Sequence, residues 1–149
     1  MKRILPVVVI VIVVIVIWQV YPTEKKGLKG DILTLKDAVE KEDAERVMEY
    51  IHPEYLDVSG MAHSELVETI SQFFAQVDSI RVQMRSMKLS IDSTDEDKTI
   101  FASCSLGLRV IAQFEGERVL AFGGIVKPGP VKAYFKKSDT HYKVYKAEY

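Results

Sequence analysis

The longest run of strict alternation in the chain spans residues 99–114, TIFASCSLGLRVIAQF. Ile100, Ala102, Cys104, Leu106, Leu108, Val110, Ala112 and Phe114 share one parity, while Ser103, Ser105, Gly107, Arg109 and Gln113 share the other. A period of two predicts a strand. At about 3.3 Å per residue it would reach roughly 50 Å, so it must bend inside a small domain, and Gly107 is the expected place. Upstream, Ile80, Val82 and Met84 alternate, and Met87, Leu89 and Ile91 continue on the opposite parity. That change of phase predicts a β-bulge near Arg85 and Ser86. The polar turn DSTDEDK leads into the long strand. It lacks the glycine and terminal glutamate of a calcium loop and is read as a hairpin tip. EGER, KPGP and residues 138–140 separate three further strands over residues 119–126, 131–137 and 141–149.

The first half of the chain follows a helical period instead. Asp31 is placed to cap a helix carrying Ile32, Leu35 and Val39 on one stripe, with Leu28 in register if the helix starts earlier. Asp43 caps a second helix bearing Val47, Met48 and Ile51, which Pro53 ends. Ser64 is the expected cap of a third, whose apolar face is Leu66, Ile70, Phe73, Phe74 and Val77. Three helices followed by a strongly bent antiparallel sheet make an α+β domain.

Residues 4–18 contain no polar side chain, and the run from 4 to 21 would form about 27 Å of helix, enough to cross a hydrocarbon core. Trp18 and Tyr21 fall at an interfacial belt. No small-residue cleavage pattern follows, which favours a retained anchor over a cleaved signal. The expected organisation is a transmembrane signal anchor over 1–21, a juxtamembrane linker over 22–30 and the domain over 31–149. Lys2 and Arg3 favour export of that domain, periplasmic in a Gram-negative source, although Lys25, Lys26 and Lys29 flank the other end.

Composition narrows the chemistry. A net charge of −1 with 28% charged residues offers no basic stripe for nucleic acid. A single cysteine, Cys104, on an apolar strand face excludes a disulfide framework and a cysteine-rich zinc site. His52, His63 and His141 match no ligand spacing, so no metal or cofactor is expected. The odd face of the long strand holds Phe101 and Ile111, and the strand over 119–126 is apolar on both parities, including Leu120 and Phe122. A second apolar sheet face is either an interface for a homodimer or a protein partner, or is covered within the chain.

The order of elements resembles the nuclear-transport-factor-2-like superfamily, cone-shaped domains that include ketosteroid isomerases and polyketide cyclases. The resemblance covers about residues 28–149 and is carried by LKGDILTLKDAVEKEDAERVMEYIHPEYLD, SELVETISQFFAQV and FKKSDTHYKVYKAEY. It implies a pocket between helices and sheet, near Phe73, Phe74, Met84 and His63, able to hold a small apolar ligand. It also implies that Asp57, in YLDVSG, stands near the general base of the isomerases, with Tyr55, His52 or His63 as assistants. The oxyanion-binding tyrosine of those enzymes corresponds here to Leu35, which leaves that machinery incomplete. The expectation is therefore a membrane-anchored extracytoplasmic binding or assembly module, non-catalytic and self-associating, with an isomerase, dehydratase or cyclase using Asp57, or an apolar-ligand carrier, as alternatives.

Overall fold

The computed structural model describes the backbone over residues 5–149 and the side chains of residues 12, 14, 15 and 23–149. Three helices, α1 (Leu5–Glu40), α2 (Ala44–Glu49) and α3 (His63–Gln76), precede five strands. These are β1 (Asp78–Thr94), β2 (Ile100–Phe114), β3 (Glu117–Phe122), β4 (Gly129–Lys137) and β5 (Lys143–Glu148). The sheet is antiparallel in the order β1-β2-β4-β5, with β3 paired to the far half of β2.

The helix α1 runs through residues 22–30, the stretch expected to be a linker. The apolar stripe explains why. Leu28, Ile32, Leu35 and Val39 continue one face, and Leu28 is fully buried in the core with Ala102, Cys104, Phe135 and Tyr142. One turn earlier the stripe becomes polar: Glu24 accepts from the Tyr142 hydroxyl at 2.6 Å and from Lys137 Nζ at 3.3 Å. The anchor expected over residues 4–21 falls almost wholly outside the described side chains. Among the described residues no helix is long and apolar enough to cross a membrane.

Asp43 caps α2 as its position predicts, accepting from the Arg46 amide at 3.1 Å. The third helix begins one residue before its expected cap. Ala62 takes the N-cap position, and Glu65 supplies half of a capping box by accepting from the Ala62 amide at 3.0 Å.

Bulges bend the sheet. Between Arg85 and Lys88, three residue steps on β1 face two on β2, and Ser86 adopts φ 54°. This is the bulge that the change of parity requires, and it lies beside Gly107, which pairs with Arg85. On its other side Gly107 meets Pro128, which would stand 3.0 Å from an added Cβ. Just past this point β2 exchanges its neighbour, pairing with β4 through Leu108 and with β3 from Val110. The strand expected over 119–126 stops at Phe122. Gly123 turns at φ 87°, and Ile125 and Val126 stand 87% and 89% exposed in the loop.

Candidate functional site

The bent sheet and α1 form a half-open cavity of about 210 Å³. Ile32, Leu35 and Val39 wall it from the helix, and Met84, Cys104, Leu106 and Phe135 are among its sheet residues. Leu35, the counterpart of the isomerase tyrosine, thus presents a hydrocarbon side chain to the cavity. Lys36 is the one charged residue in the lining, and its Nζ is paired with Glu40 at 3.2 Å. Burial pushes the Cys104 thiol up to about 11, so it is protonated and unreactive at neutral pH. A second cleft of about 240 Å³ shares Val39 and Val110 with the first and is lined by Phe73, Phe74 and Phe122. Of the expected pocket residues, Met84 faces the cavity and Phe73 and Phe74 the adjoining cleft. His63 lines neither and opens α3.

Asp57 is not among the cavity residues. It lies in the α2–α3 connection, 7% exposed, in a turn built around its own carboxylate. Oδ1 accepts from the Ser59 amide at 2.9 Å, the Ser59 hydroxyl at 2.6 Å and the Met61 amide at 3.0 Å. Oδ2 accepts from the hydroxyls of Tyr149 at 3.1 Å and Tyr55 at 3.4 Å. Burial alone would raise the carboxyl pKa. The bonds from Ser59, Met61 and Tyr149 outweigh it and hold the group below the usual carboxylate value. The oxygens of Asp57 are taken up by donors and its pKa is lowered, the reverse of the environment that favours a general base. It organises a loop, pinning the chain end through Tyr149, 92 residues away.

The proposed assistants share that structural character. Burial, and then the charge of Asp57, raise the Tyr55 pKa, leaving it a donor to Asp57. His52 accepts from the Glu54 amide at 3.1 Å, and burial followed by the nearby Lys136 charge lowers its pKa. His141 lies 3.2 Å from Asp31, at the junction of α1 with the β4–β5 turn. Among the described residues no group of three or more His, Cys, Asp or Glu is arranged to hold a metal ion. Tyr149 and the Glu24–Tyr142 contact were not singled out from the sequence. Neither Tyr149 nor Glu24 carries a local signal of such distant partners.

The four expected interface residues do not form one patch. Phe101 lies beneath the Lys136 ammonium, 5.8 Å from its ring centre, and meets the edge of Tyr145. Ile111 pairs with Leu120 at the distal end. Phe122 pairs with Val110 after the register shift at Ala121, which turns it to the helix side against Tyr149.

No family model matches the chain, and no curated protein matches it. Among solved structures it is similar to a candidate scytalone dehydratase from Novosphingobium aromaticivorans. The TM-score is 0.69 at 10% identity, covering 86% of this chain and 83% of that one. A candidate dehydratase of the nuclear-transport-factor-2-like family from Streptomyces avermitilis gives 0.61 at 12% identity, covering 85% and 94%. The helical cell shape determining protein Pgp2 from Campylobacter jejuni gives 0.58 at 13% identity and covers 79% of this chain. The match there is only 38% of that protein's chain, so this chain spans well under half its length. At these identities the likeness is one of fold: the chain has the nuclear-transport-factor-2-like fold, with three helices and a five-stranded antiparallel sheet.

Proposed function

We propose that this chain is a membrane-anchored, non-catalytic binding module that takes a small apolar compound into its cone. The observation that carries the reading is the separation of the carboxylate from the cavity. Asp57 is saturated by five donors in the α2–α3 turn, while the cavity wall is apolar apart from a protonated thiol and an ion-paired lysine. Proton transfer needs an acid or base within hydrogen-bond reach of the substrate. Binding an apolar body needs only a dry, shaped wall. The volume, about 210 Å³, exceeds the roughly 150 Å³ that accommodates benzene in a dry protein cavity, so a compound of one ring or a short chain fits. The anchor over residues 4–21 and an extracytoplasmic location complete the proposal and rest on the sequence pattern alone.

The test uses the full chain in neutral detergent micelles. Toluene, as a representative one-ring apolar probe, is expected to raise the unfolding temperature of the wild type. Ala133→Leu, which projects into the cavity, should lose that response and remain folded. Asp57-dependent turnover of any small carbonyl compound would overturn the reading, as would a toluene response unaltered in Ala133→Leu.

A further inference from the structure

The outer face of the sheet carries a polar furrow that the cavity does not involve. Ser105 forms its floor along β2, between Ser103, which is 8% exposed, and Gly107, which lies against Pro128. In register with them, Lys132 and Tyr134 rise from β4 on one side, and Arg85 and Lys88 from β1 on the other. Lys136 sits at the Phe101 end, opposite Lys143 of β5, and Lys146 pairs with Tyr134. Six cations, Arg85, Lys88, Lys132, Lys136, Lys143 and Lys146, thus gather where Glu54, Asp92 and Glu148 are the nearby carboxylates. The chain as a whole has a net charge of −1, so this face opposes the rest of the molecule in sign.

The arrangement costs stability. Lys136 and Lys143 are directly opposed across β4 and β5, and like charges in that relation repel. Lys136 is ion-paired with Glu54 at 3.0 Å and Lys146 with Glu148 at 3.2 Å, and ring contacts add to these. Lys136 lies 4.6 Å from the Tyr145 ring centre, Lys132 5.1 Å and Lys146 5.2 Å from that of Tyr134. Arg85 and Lys88 make no ion pair among the described residues.

We infer that this furrow is a docking groove for an extended acidic segment of a partner protein. Charge complementarity selects an anion. The spacing selects an extended chain: the walls stand two strand spacings apart, about 10 Å, and Lys132 and Lys136 are about 13 Å apart along β4. A peptide on the floor meets the Ser105 hydroxyl, which is able to bond its main chain. The ring faces on which a sugar or base would stack are already covered by lysines, and a flat bilayer would touch the ammonium groups without reaching the floor. A second copy docked face to face would set cations against cations.

Fluorescence anisotropy of a short fluorescein-labelled poly-glutamate peptide on the full chain in neutral micelles tests this. Wild type should bind with an affinity that falls as salt rises, and Lys88→Glu/Lys132→Glu should weaken binding by about tenfold or more. Lys88→Gln/Lys132→Gln should lie between the two, with all variants giving wild-type circular dichroism. Lys25→Glu/Lys26→Glu, removing exposed charge from α1, should bind as wild type does. Absence of wild-type binding, a furrow variant equal to wild type, or an equal loss in the α1 variant would each overturn the groove. Stronger competition by phosphatidylglycerol vesicles or heparin than by unlabelled peptide, lost in the furrow variants, would overturn the assignment to a protein segment.

Discussion

Replacing Asp57 with asparagine separates a structural carboxylate from a catalytic one. The substitution keeps Oδ1 and its three donors from Ser59 and Met61, but places an amide NH₂ where Oδ2 accepts from Tyr55 and Tyr149. Two donors then face a donor. Hydrogen bonds to a charged group contribute about 1.5–3 kcal/mol each and neutral ones about 0.5–1.5, while the hydroxyl of Tyr149, an exposed residue, can turn to water. The net loss should be about 2 kcal/mol for Asp57→Asn, and about 3–4 for Asp57→Ala, which abandons all five donors. Denaturant unfolding of the full chain, followed by tyrosine near-ultraviolet ellipticity, measures both. The pH dependence supplies an independent sign. Because the folded pKa is depressed, the stabilisation is complete above the unfolded carboxylate value of about 3.9 and is lost as the pH falls through the lower folded value. The difference between wild type and Asp57→Asn should therefore shrink in acid. An Asp57→Asn protein as stable as wild type, or more so, would refute the reasoning, because relief on removing a carboxylate is the behaviour of a strained functional group.

Tyr142→Phe should cost about 1–2 kcal/mol, since it removes a hydroxyl bonded to Glu24 at 2.6 Å beneath a buried ring. Hydrogen exchange should then quicken in the α1 turn around Glu24. Gly123→Ala should lower stability by about 1–3 kcal/mol, because the residue has φ 87° and its Cβ would stand 2.5 Å from the Leu108 carbonyl oxygen; thermal unfolding reads it. Ile125→Asp/Val126→Asp should leave stability within about 0.5 kcal/mol, both side chains being almost fully exposed. Cys104, with its thiol pushed up to about 11 by burial, should resist iodoacetamide at pH 8 until the protein unfolds, as mass spectrometry would report.

The strands and helices were legible because each buries one face, and burial imposes its period on the residues: two along β2, 3.6 along α1. The same logic exposed the bulge at Arg85 and Ser86, since one inserted residue must shift the parity of everything beyond it. It did not expose the bulge at Ala121, because Leu120, Ala121 and Phe122 are all apolar and leave no alternation to break. The extent of α1 was partly legible in Leu28, whose phase fits the stripe. The decision to continue through the polar stretch 22–30 came from Tyr142 and Lys137, more than a hundred residues away. Asp57 shows the division most plainly. Its position in YLDVSG suits both a turn and a catalytic base. Tertiary contact assigned it to the turn by bringing Tyr149 onto Oδ2 and turning hydrocarbon from α1 and the sheet toward the cavity. Local sequence sets which conformations a segment prefers and which face it must hide. The pKa and availability of a side chain depend on neighbours that only chain folding brings within hydrogen-bond distance.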